Sequence, residues 1–400
     1  MSDRFPESLL GRRRFLAGAA ASTVVLLKPE LVRGAQANSA LELGMIGCGG
    51  RGRWIADLFE KTGKYRFTAC SDYFQERVDA FGEKFKVDVS RRFTGLSGYK
   101  KLLGAKLDAV VIETPPGFHP EQAAAAVDAG KHVFLAKPIA VDAPGCLLVG
   151  ESGRKATQKK LVFLVDFQTR ASEIYREAVR RVHEGAIGKL VCAEAEYPWA
   201  HGPLSGPAGA EERLRQWYTV LPLSGDVIVE QDIHALDVAT WILNQDPVRA
   251  FGTGGRKIRT GGDIWDHFSV TYWFPEDVVL TFTSIKCVPG IPDAIRCRAY
   301  GDQGFIDTDY FSGVSIRGKN PYEGGAMQNL YAEGAVNNIE EFHRAITQGD
   351  CSNPTVAPSV RSNLTSVLGR TAAYRGREVT WDEMIKAGER LPFDTAGLKS

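Results

Sequence analysis

The composition of the sequence does not by itself indicate a function, because few residue types are enriched or depleted. Its seven cysteines are scattered, without a Cys-x-x-Cys pair or the spacing of a disulfide framework, and such cysteines are mostly small buried apolar residues. A bridge between Cys287 and Cys297 is the one pairing left open. The net charge of +1 excludes charge-driven binding to nucleic acid or to a membrane surface, so neither is predicted as a partner.

Long apolar runs, internal repeats and low-complexity tracts are also missing. No stretch of about 18 uninterrupted apolar residues occurs, which excludes a transmembrane helix in the mature chain. Hydrophobic residues make up 44% of the sequence and charged residues 24%, as in an ordinary globular protein. At 400 residues the chain exceeds the usual size of one core, so we expect two domains.

What is present begins with an export signal over residues 1–37. Arginines at 12–14 precede a mildly apolar run over 15–27, and the small-x-small triplet Ala-Gln-Ala ends at Ala37. The pair Arg12-Arg13 and the apolar residues behind it match the twin-arginine form. We expect cleavage after Ala37 and a periplasmic or secreted protein that is exported folded. The alternative, a basic amphipathic helix, lacks a polar face in the Ala/Gly-rich run.

Residues 38–168 are predicted to form a first domain of α/β type. Short apolar runs of four to seven residues alternate with helical stretches and are bounded by turn signals. The predicted strands are LELGMI, YRFTACS, DAVVIET, HVFLA and LVFLVDF. Near-continuous apolar strands that alternate with helices predict a doubly wound parallel sheet covered on both faces.

Residues 169–400 are predicted to form a second domain of α+β type. Long runs such as LVCAEAEYPW and VVLTFTSIKCV alternate apolar and polar residues, which predicts a large, open, mostly antiparallel sheet. Helices are predicted over ASEIYREAVRRVHEGAIG, DIHALDVATWIL, NIEEFHRAITQG and VRSNLTSVLGRTAAYRG. The segment 202–210 and the stretch around 317–326 are predicted as loops.

A glycine-rich loop follows the first predicted strand and opens a helix. Gly47, Gly49 and Gly52 form G-x-G-x-x-G, and Asp72 ends the next strand twenty residues later. Together these are the fingerprint of a dinucleotide-binding Rossmann domain, with the pyrophosphate at the helix N-terminus. A carboxylate at Asp72 accepts hydrogen bonds from the ribose and repels a 2′-phosphate, so NAD is predicted as the cofactor. The alternative is a tight turn without a nucleotide.

Three further stretches carry side chains suited to catalysis. ETPPGFH spans residues 113–119, AKPIA places Lys137 at the end of the next strand, and EQDIHALDVATW places Glu230 and His234 at the start of a helix. The carboxyl ends of strands are where ligands bind in open parallel sheets. Glu230 and His234 are four residues apart, so a helix would put both on one face.

With these motifs the chain resembles the Gfo/Idh/MocA family of oxidoreductases, along nearly all of the predicted mature sequence. The resemblance includes the glycine loop, the TPPGFH edge, the Lys-Pro pair, the GAIGKL turn, the helix that bears His234 and the closing GREVTWDEM. It implies that Lys137, His234 and Glu230 are catalytic and that an open sheet face forms dimers or tetramers. Two positions depart from the family pattern: Ala136 stands where glutamate is common, and Glu230 where aspartate is common.

The implied chemistry suits these side chains. Oxidation of a secondary alcohol transfers a hydride to nicotinamide and a proton to a base, and histidine has the side chain with the pKa nearest neutrality. A neighbouring lysine stabilises the developing alkoxide.

The predicted site residues fall into two further groups. The cofactor-binding residues lie in the glycine loop and at strand ends: Gly47, Gly49, Gly50, Arg51, Gly52, Asp72, Thr114, Pro115, His119 and Lys137. The substrate-pocket candidates are polar and aromatic residues of the second domain and its boundary: Gln168, Arg170, Trp199, His201, Trp217, Tyr218 and Asp232. No third ligand accompanies Asp232 and His234, so no metal site is predicted.

Export and a dinucleotide cofactor together constrain the turnover. Free NAD is scarce outside the cytoplasm, which predicts a cofactor loaded before export, held tightly and restored in every cycle. A sugar oxidoreductase that is redox-neutral per cycle would satisfy this. So would an NAD-dependent glycoside hydrolase that oxidises C3 transiently, eliminates the C1 substituent and adds water. A noncatalytic sugar- or NAD-sensing protein is the alternative from another class.

Overall fold

The first half of the chain alternates strands and helices around one parallel sheet. The computed structural model describes residues 40–326 and 328–400, so the predicted signal at 1–37 lies outside the described residues. The sheet has the strand order β3-β2-β1-β4-β5-β6 and every neighbouring pair is parallel. Its strands are β1 (Leu41–Ile46), β2 (Tyr65–Asp72), β3 (Arg92–Thr94), β4 (Ala109–Ile112), β5 (His132–Ala136) and β6 (Phe163–Asp166). The helices are α1 (Gly50–Lys61), α2 (Gln75–Lys84), α3 (Gly98–Leu103), α4 (His119–Asp128) and α5 (Ala143–Gln158). This confirms the predicted Rossmann architecture.

The central strands are apolar along their buried positions because helices cover both faces of the sheet. Val111 and Phe134 belong to one core cluster with Ile55 of α1, whereas Val110 and Leu135 belong to the cluster on the other face. Successive side chains of a strand point to opposite faces, so a strand buried on both sides has no polar alternation.

The second sheet has nine strands and follows the long alternating runs of the sequence. Its order is β14-β13-β12-β11-β7-β10-β9-β8-β15, and its pairs are antiparallel except that of β7 with β10. The strands are β7 (Leu190–Trp199), β8 (Arg249–Gly255), β9 (His267–Trp273), β10 (Val279–Lys286), β11 (Arg296–Gly301), β12 (Gly304–Asp309), β13 (Gly313–Gly318), β14 (Tyr322–Gly325) and β15 (Val379–Thr380). The helices are α6 (Glu173–His183), α7 (Ala210–Arg215), α8 (Leu221–Ser224), α9 (Val227–Glu230), α10 (Ile233–Leu243), α11 (Leu330–Gln348), α12 (Val356–Arg375) and α13 (Trp381–Ala387).

One face of this sheet is covered and the other is open, as the alternation predicts. Along β10, Leu280, Phe282 and Ser284 point inward and are buried, while Thr281 and Thr283 point outward and are exposed. The inward series continues to Lys286 at the strand end, whose side chain is fully buried. A charge at an inward position of an apolar face needs a partner, and that partner lies in the candidate active site.

Helix α11 follows the second sheet in sequence but packs on the first. Ala335, Ile339 and Phe342 join the core cluster that contains β1 and α1, and the Tyr65 hydroxyl donates a hydrogen bond to the Ile339 carbonyl oxygen at 2.8 Å. Residues 41–400 accordingly form one compact unit. The sequence does not predict this crossing, because an amphipathic helix does not indicate which sheet it covers.

Three local features differ from the sequence expectations or complete them. The stretch 317–326 is not only loop, because β14 pairs with β13 and so satisfies its backbone groups at the sheet edge. The helix predicted over NIEEFHRAITQG begins earlier, at Leu330, where the Asn329 side chain caps it. All seven cysteines are free in the described chain, so Cys287 and Cys297 form no bridge.

No helix among the described residues is long and apolar enough to cross a membrane.

Candidate active site

The glycine loop between β1 and α1 has the shape that a bound pyrophosphate requires. Gly47 has a positive φ of 102°, and a Cβ atom there would lie 2.6 Å from the backbone of Glu113. A Cβ atom at Gly52 would lie 1.9 Å from the Gly47 carbonyl oxygen, so this glycine lets α1 pack closely on the loop. At Gly49 the nearest atom is on the Arg77 side chain, 3.7 Å away, which leaves that face open for a ligand.

The first turn of α1 can accept an anion. Gly49 is the N-cap residue, no side chain of the described chain caps the helix there, and its first turn contains no acidic residue. The amides at the start, including those of Gly50 and Arg51, therefore lack intrahelical partners, and the helix dipole favours negative charge. The loop lines a cleft of about 390 Å³. Donor set, glycines and cleft together fit a dinucleotide.

Asp72 ends β2 and lines the same cleft. Its two carboxylate oxygens accept hydrogen bonds from the backbone N–H groups of Cys48, at 2.8 Å, and Phe74, at 3.0 Å. Burial raises the pKa of Asp72, and these donors together with Arg77 oppose that rise. Each oxygen keeps a lone pair for a ribose hydroxyl, whereas a 2′-phosphate would meet negative charge.

Arg51 has a role beyond its backbone amide. Its guanidinium lies 2.7 Å from Asp166 and 3.5 Å from Glu113, and it stacks within 4.9 Å of the Trp54 and Tyr331 rings. Burial raises the pKa of Glu113 to about 7, although the Arg51 charge opposes the shift. The side chain thus connects α1 to the ends of β4 and β6 beside the cofactor loop.

The loop after β4 contributes the next predicted residues. Thr114 and Pro115 line the cleft. His119 does not: it starts α4 and its ring is buried, with its nitrogens 2.8 Å from the Pro138 carbonyl oxygen and 2.7 Å from that of Thr114. Burial lowers the pKa of His119 to about 4. The histidine therefore joins two loops of the site instead of facing a ligand.

The three predicted catalytic residues come from both halves of the fold: Lys137 follows a strand of the first sheet, and Glu230 and His234 lie on α9 and α10. Lys137 follows β5, and its ammonium donates a hydrogen bond to the Glu230 carbonyl oxygen at 2.7 Å and lies 3.3 Å from Glu230 Oε1. His234 is buried in the first turn of α10, and burial lowers its pKa well below the usual value, aided by the charges of Lys137, Arg51 and Lys286. Its Nδ1 has no hydrogen-bond partner within the described ranges. The charge of Lys137 therefore acts on the buried imidazole of His234 and disfavours its protonation.

A second lysine, Lys286, was not predicted from the sequence, and its charge also acts on His234. Lys286 Nζ is 2.6 Å from Asp232 Oδ1, donates to the Tyr197 carbonyl oxygen at 2.7 Å and lies 3.5 Å from the centre of the Tyr197 ring. Neither charged side chain is exposed. Burial lowers the pKa of Lys286 and raises that of Asp232, while their mutual attraction opposes both shifts. The only sequence signal was a lysine at an inward position of β10.

The substrate candidates divide into two groups. Gln168 Oε1 and the Tyr218 hydroxyl are buried without a hydrogen-bond partner in the part of the chain that the structure describes, as is the Tyr310 hydroxyl near His234. Unpartnered buried polar atoms are costly unless a ligand satisfies them. Trp199 is half-buried and stacks with Phe311, 6.2 Å between ring centres.

The other candidates lie elsewhere. Arg170 forms a bidentate ion pair with Asp237, whose carboxylate also accepts a hydrogen bond from Ser362. The His201 side chain is exposed. Trp217 lines the cofactor cleft with Leu214 and Arg215, so its place is beside the predicted dinucleotide. The sequence did not predict that these three residues of the second domain would line the cleft.

Comparison with known proteins agrees with this geometry. Residues 41–166 match the model of the oxidoreductase family with an NAD-binding Rossmann fold, and residues 175–307 match the GFO/IDH/MocA C-terminal domain. An inositol 2-dehydrogenase of Rhizobium meliloti is 24% identical over 348 residues, covering 84% of this chain and 96% of its own.

Two solved structures have the same fold. The aldose-aldose oxidoreductase from Caulobacter crescentus, complexed with glycerol, superposes with a TM-score of 0.67 at 19% identity and covers 86% of this chain and 100% of its own. A levoglucosan dehydrogenase complexed with NADH and L-sorbose gives a TM-score of 0.69 at 18% identity and covers 86% and 99%. NAD is therefore the cofactor of the first domain.

Asp72 offers a test of cofactor choice. Asp72→Asn removes the negative charge and leaves only one acceptor oxygen for the two backbone amides, so we expect the Kd for NAD to rise at least about tenfold, the value of a lost charge-assisted hydrogen bond. The ratio of the Kd for NADP to the Kd for NAD should fall. Both constants would be measured by fluorescence titration of protein stripped of cofactor, with Asp79→Asn on α2 as the control. An unchanged NAD/NADP ratio would contradict the assignment.

The Lys286–Asp232 pair predicts a non-additive effect on stability. Lys286→Met leaves a buried carboxylate unpaired and should lower the free energy of unfolding by about 3–5 kcal/mol. Adding Asp232→Asn should restore part of that loss, because no charge then lies buried. Denaturant unfolding of wild type, both single variants and the double variant gives the coupling. Simple additivity would show that the pair does not interact as described.

Proposed function

Because this chain belongs to the GFO/IDH/MocA family of oxidoreductases, we propose that it oxidises and reduces a secondary hydroxyl of a sugar, sugar derivative or polyol with NAD. The observation that carries the proposal is the contact of Lys137, which follows β5, with Glu230 at the end of α9, together with the effect of the Lys137 charge on the buried His234 of α10. The inositol, levoglucosan and aldose enzymes to which the chain is similar act on substrates of this class.

Each residue of this group has a task that follows from its state. The glycine loop and Asp72 would hold NAD, which would supply the acceptor for the hydride of the carbinol carbon. Neutral His234 takes the hydroxyl proton, since its lowered pKa leaves it unprotonated near neutral pH. Lys137 donates a hydrogen bond to the developing alkoxide, and Glu230 holds the ammonium in place. The reverse steps reduce a carbonyl.

We further propose that the enzyme is exported with its cofactor bound and is redox-neutral per cycle. A cofactor that is never released must return to its starting oxidation state before the next cycle. The twin-arginine pattern supports export of a folded, loaded protein. The name of the similar protein aldose-aldose oxidoreductase gives an aldose as both partners of the reaction, which fits redox-neutral turnover.

Glycoside hydrolysis is the second candidate, and the surplus of proton-transfer groups favours it. C3 oxidation acidifies the C2–H bond; a base removes that proton, the C1 substituent leaves with a proton from an acid, water adds, and the hydride returns to C3. This series of reaction steps needs more acid and base groups than plain dehydrogenation does. The unpartnered hydroxyls of Tyr218 and Tyr310, with Glu230 and His234, supply them.

Mass spectrometry of released dinucleotide tests retention and export together. Protein purified from the periplasm without added cofactor and then denatured should release NAD at nearly one equivalent. A variant with Arg12→Lys and Arg13→Lys should remain in the cytoplasm and carry the same load. A periplasmic protein that is empty and binds NAD weakly would refute the retained cofactor. A double variant exported as well as wild type would refute the twin-arginine route.

Substitution of the two central residues tests the chemistry. Lys137→Met and His234→Asn should each lower turnover of the active sugar or glycoside at least about 100-fold, the usual size of acid–base and electrostatic terms. Wild-type activity should not decline between pH 8 and 6, because the lowered pKa of His234 keeps the base unprotonated there. Hydrolysis without net NADH would select the glycosidase. Full biological function in both variants would instead indicate the noncatalytic sensor. His201→Asn, at an exposed position, is the control.

A further inference from the structure

The last residues of the chain pack against residues that line the cofactor cleft. After α13, the backbone N–H of Leu391 donates a hydrogen bond to Asp142 Oδ2 at 2.8 Å, beside the start of α5. Phe393 packs edge-on against Phe118 with 6.0 Å between ring centres, and the Arg213 guanidinium lies 5.4 Å from the Phe393 ring. We call residues 391–400 the closing segment.

The end of the closing segment is joined to the strand-end loops by polar contacts. The Lys399 carbonyl oxygen accepts a hydrogen bond from Leu96 N at 3.1 Å, and Lys399 N donates to the Tyr73 hydroxyl at 3.2 Å. That hydroxyl in turn donates to Glu211 Oε1 of α7 at 2.8 Å. The closing segment therefore bridges a loop of the first sheet and a helix of the second domain.

Gly95 shows how close this approach is. Its φ is 90°, and a Cβ atom there would lie 2.2 Å from the Ser400 carbonyl oxygen. Leu398 belongs to a small apolar cluster with Leu96 and Trp217. A side chain at Gly95 would displace the segment from its seat.

The residues that the closing segment contacts also line the cleft. Tyr73, Gly95, Leu96, Phe118 and Trp217 surround the same cavity as the glycine loop and Asp72. In a Rossmann domain the side next to this acidic residue holds the adenosine half of the dinucleotide. The contacts thus lie at the adenosine end, away from Lys137 and His234.

We infer that the closing segment is a cofactor-binding element that completes the adenosine site of NAD and slows its release. Most of the segment is exposed, and only Leu391, Phe393 and Leu398 are partly buried, so few contacts must break for the segment to open. A weakly anchored cover can admit the cofactor during folding and then oppose its departure. The inference rests on the proposed retention of NAD.

Exchange of bound NAD measures this directly. Protein loaded with isotopically labelled NAD is mixed with excess unlabelled NAD, and the label that remains bound is followed over time after rapid desalting. Deletion of residues 391–400 should raise the release rate about tenfold or more, because affinity differences arise mostly in dissociation. The matched control is Glu389→Gln, which breaks only the ion pair with Arg375 next to the segment.

Gly95→Ala keeps the test decisive if the deleted chain does not fold. In the full chain the new Cβ displaces the closing segment, so the release rate should rise as in the deletion, with near-wild-type circular dichroism. Where the deletion folds, Gly95→Ala added to it should have little further effect on release. Equal release rates in wild type, deletion and Gly95→Ala would overturn the inference.

The outcomes separate this inference from the proposed function. If wild type holds NAD and the variants release it equally slowly, the cofactor is retained by other contacts and the closing segment has no binding role. If wild type itself arrives empty, the retained-cofactor proposal fails. The closing segment is then judged by the Kd for added NAD, which should still be about tenfold weaker in the variants.

Discussion

The structure depends on paired charges that are buried or partly buried around the turn leading into α10 and at the neighbouring strand ends. Lys137 with Glu230 and Lys286 with Asp232 both involve the short turn that leads into α10, and Arg51 joins two strand ends through Asp166 and Glu113. An unpaired charge at such depth is costly, so each pair restricts the other elements to one arrangement. The orientation of His234 follows from this, since it extends from the turn that the lysines hold.

Cofactor site and pocket are therefore parts of one electrostatic arrangement. The positive charges of Lys137, Lys286 and Arg51, the last of which lies beside the glycine loop, all favour the neutral form of His234. Burial and neighbouring positive charge both disfavour the protonated form of His234, which keeps the imidazole free to accept a proton but makes it a weaker base. Binding of a polyol would supply partners for hydroxyl and amide groups that the chain leaves unsatisfied in this region.

Sequence reasoning reached the features that depend on local pattern. The glycine loop, Asp72 and the strands carry short-range signals, and the structure places them as those signals indicate. The single helix predicted to carry both Glu230 and His234 is wrong, because α9 ends at Glu230 and α10 begins at Ile233. Lys286, the role of Trp217 in the cofactor cleft and the closing segment depend on contacts between residues far apart in sequence. No periodicity encodes such contacts, and a lysine in an alternating strand is indistinguishable from a surface residue until its neighbours are known.

The packing of α11 on the first sheet has a consequence for biosynthesis. Ala335, Ile339 and Phe342 complete a core whose other members lie in the first domain. While the ribosome is still adding residues before 330, the part of that face of the Rossmann sheet that α11 covers is exposed, although the strands and α1 have already been made. The first domain therefore finishes folding only when the chain is nearly complete.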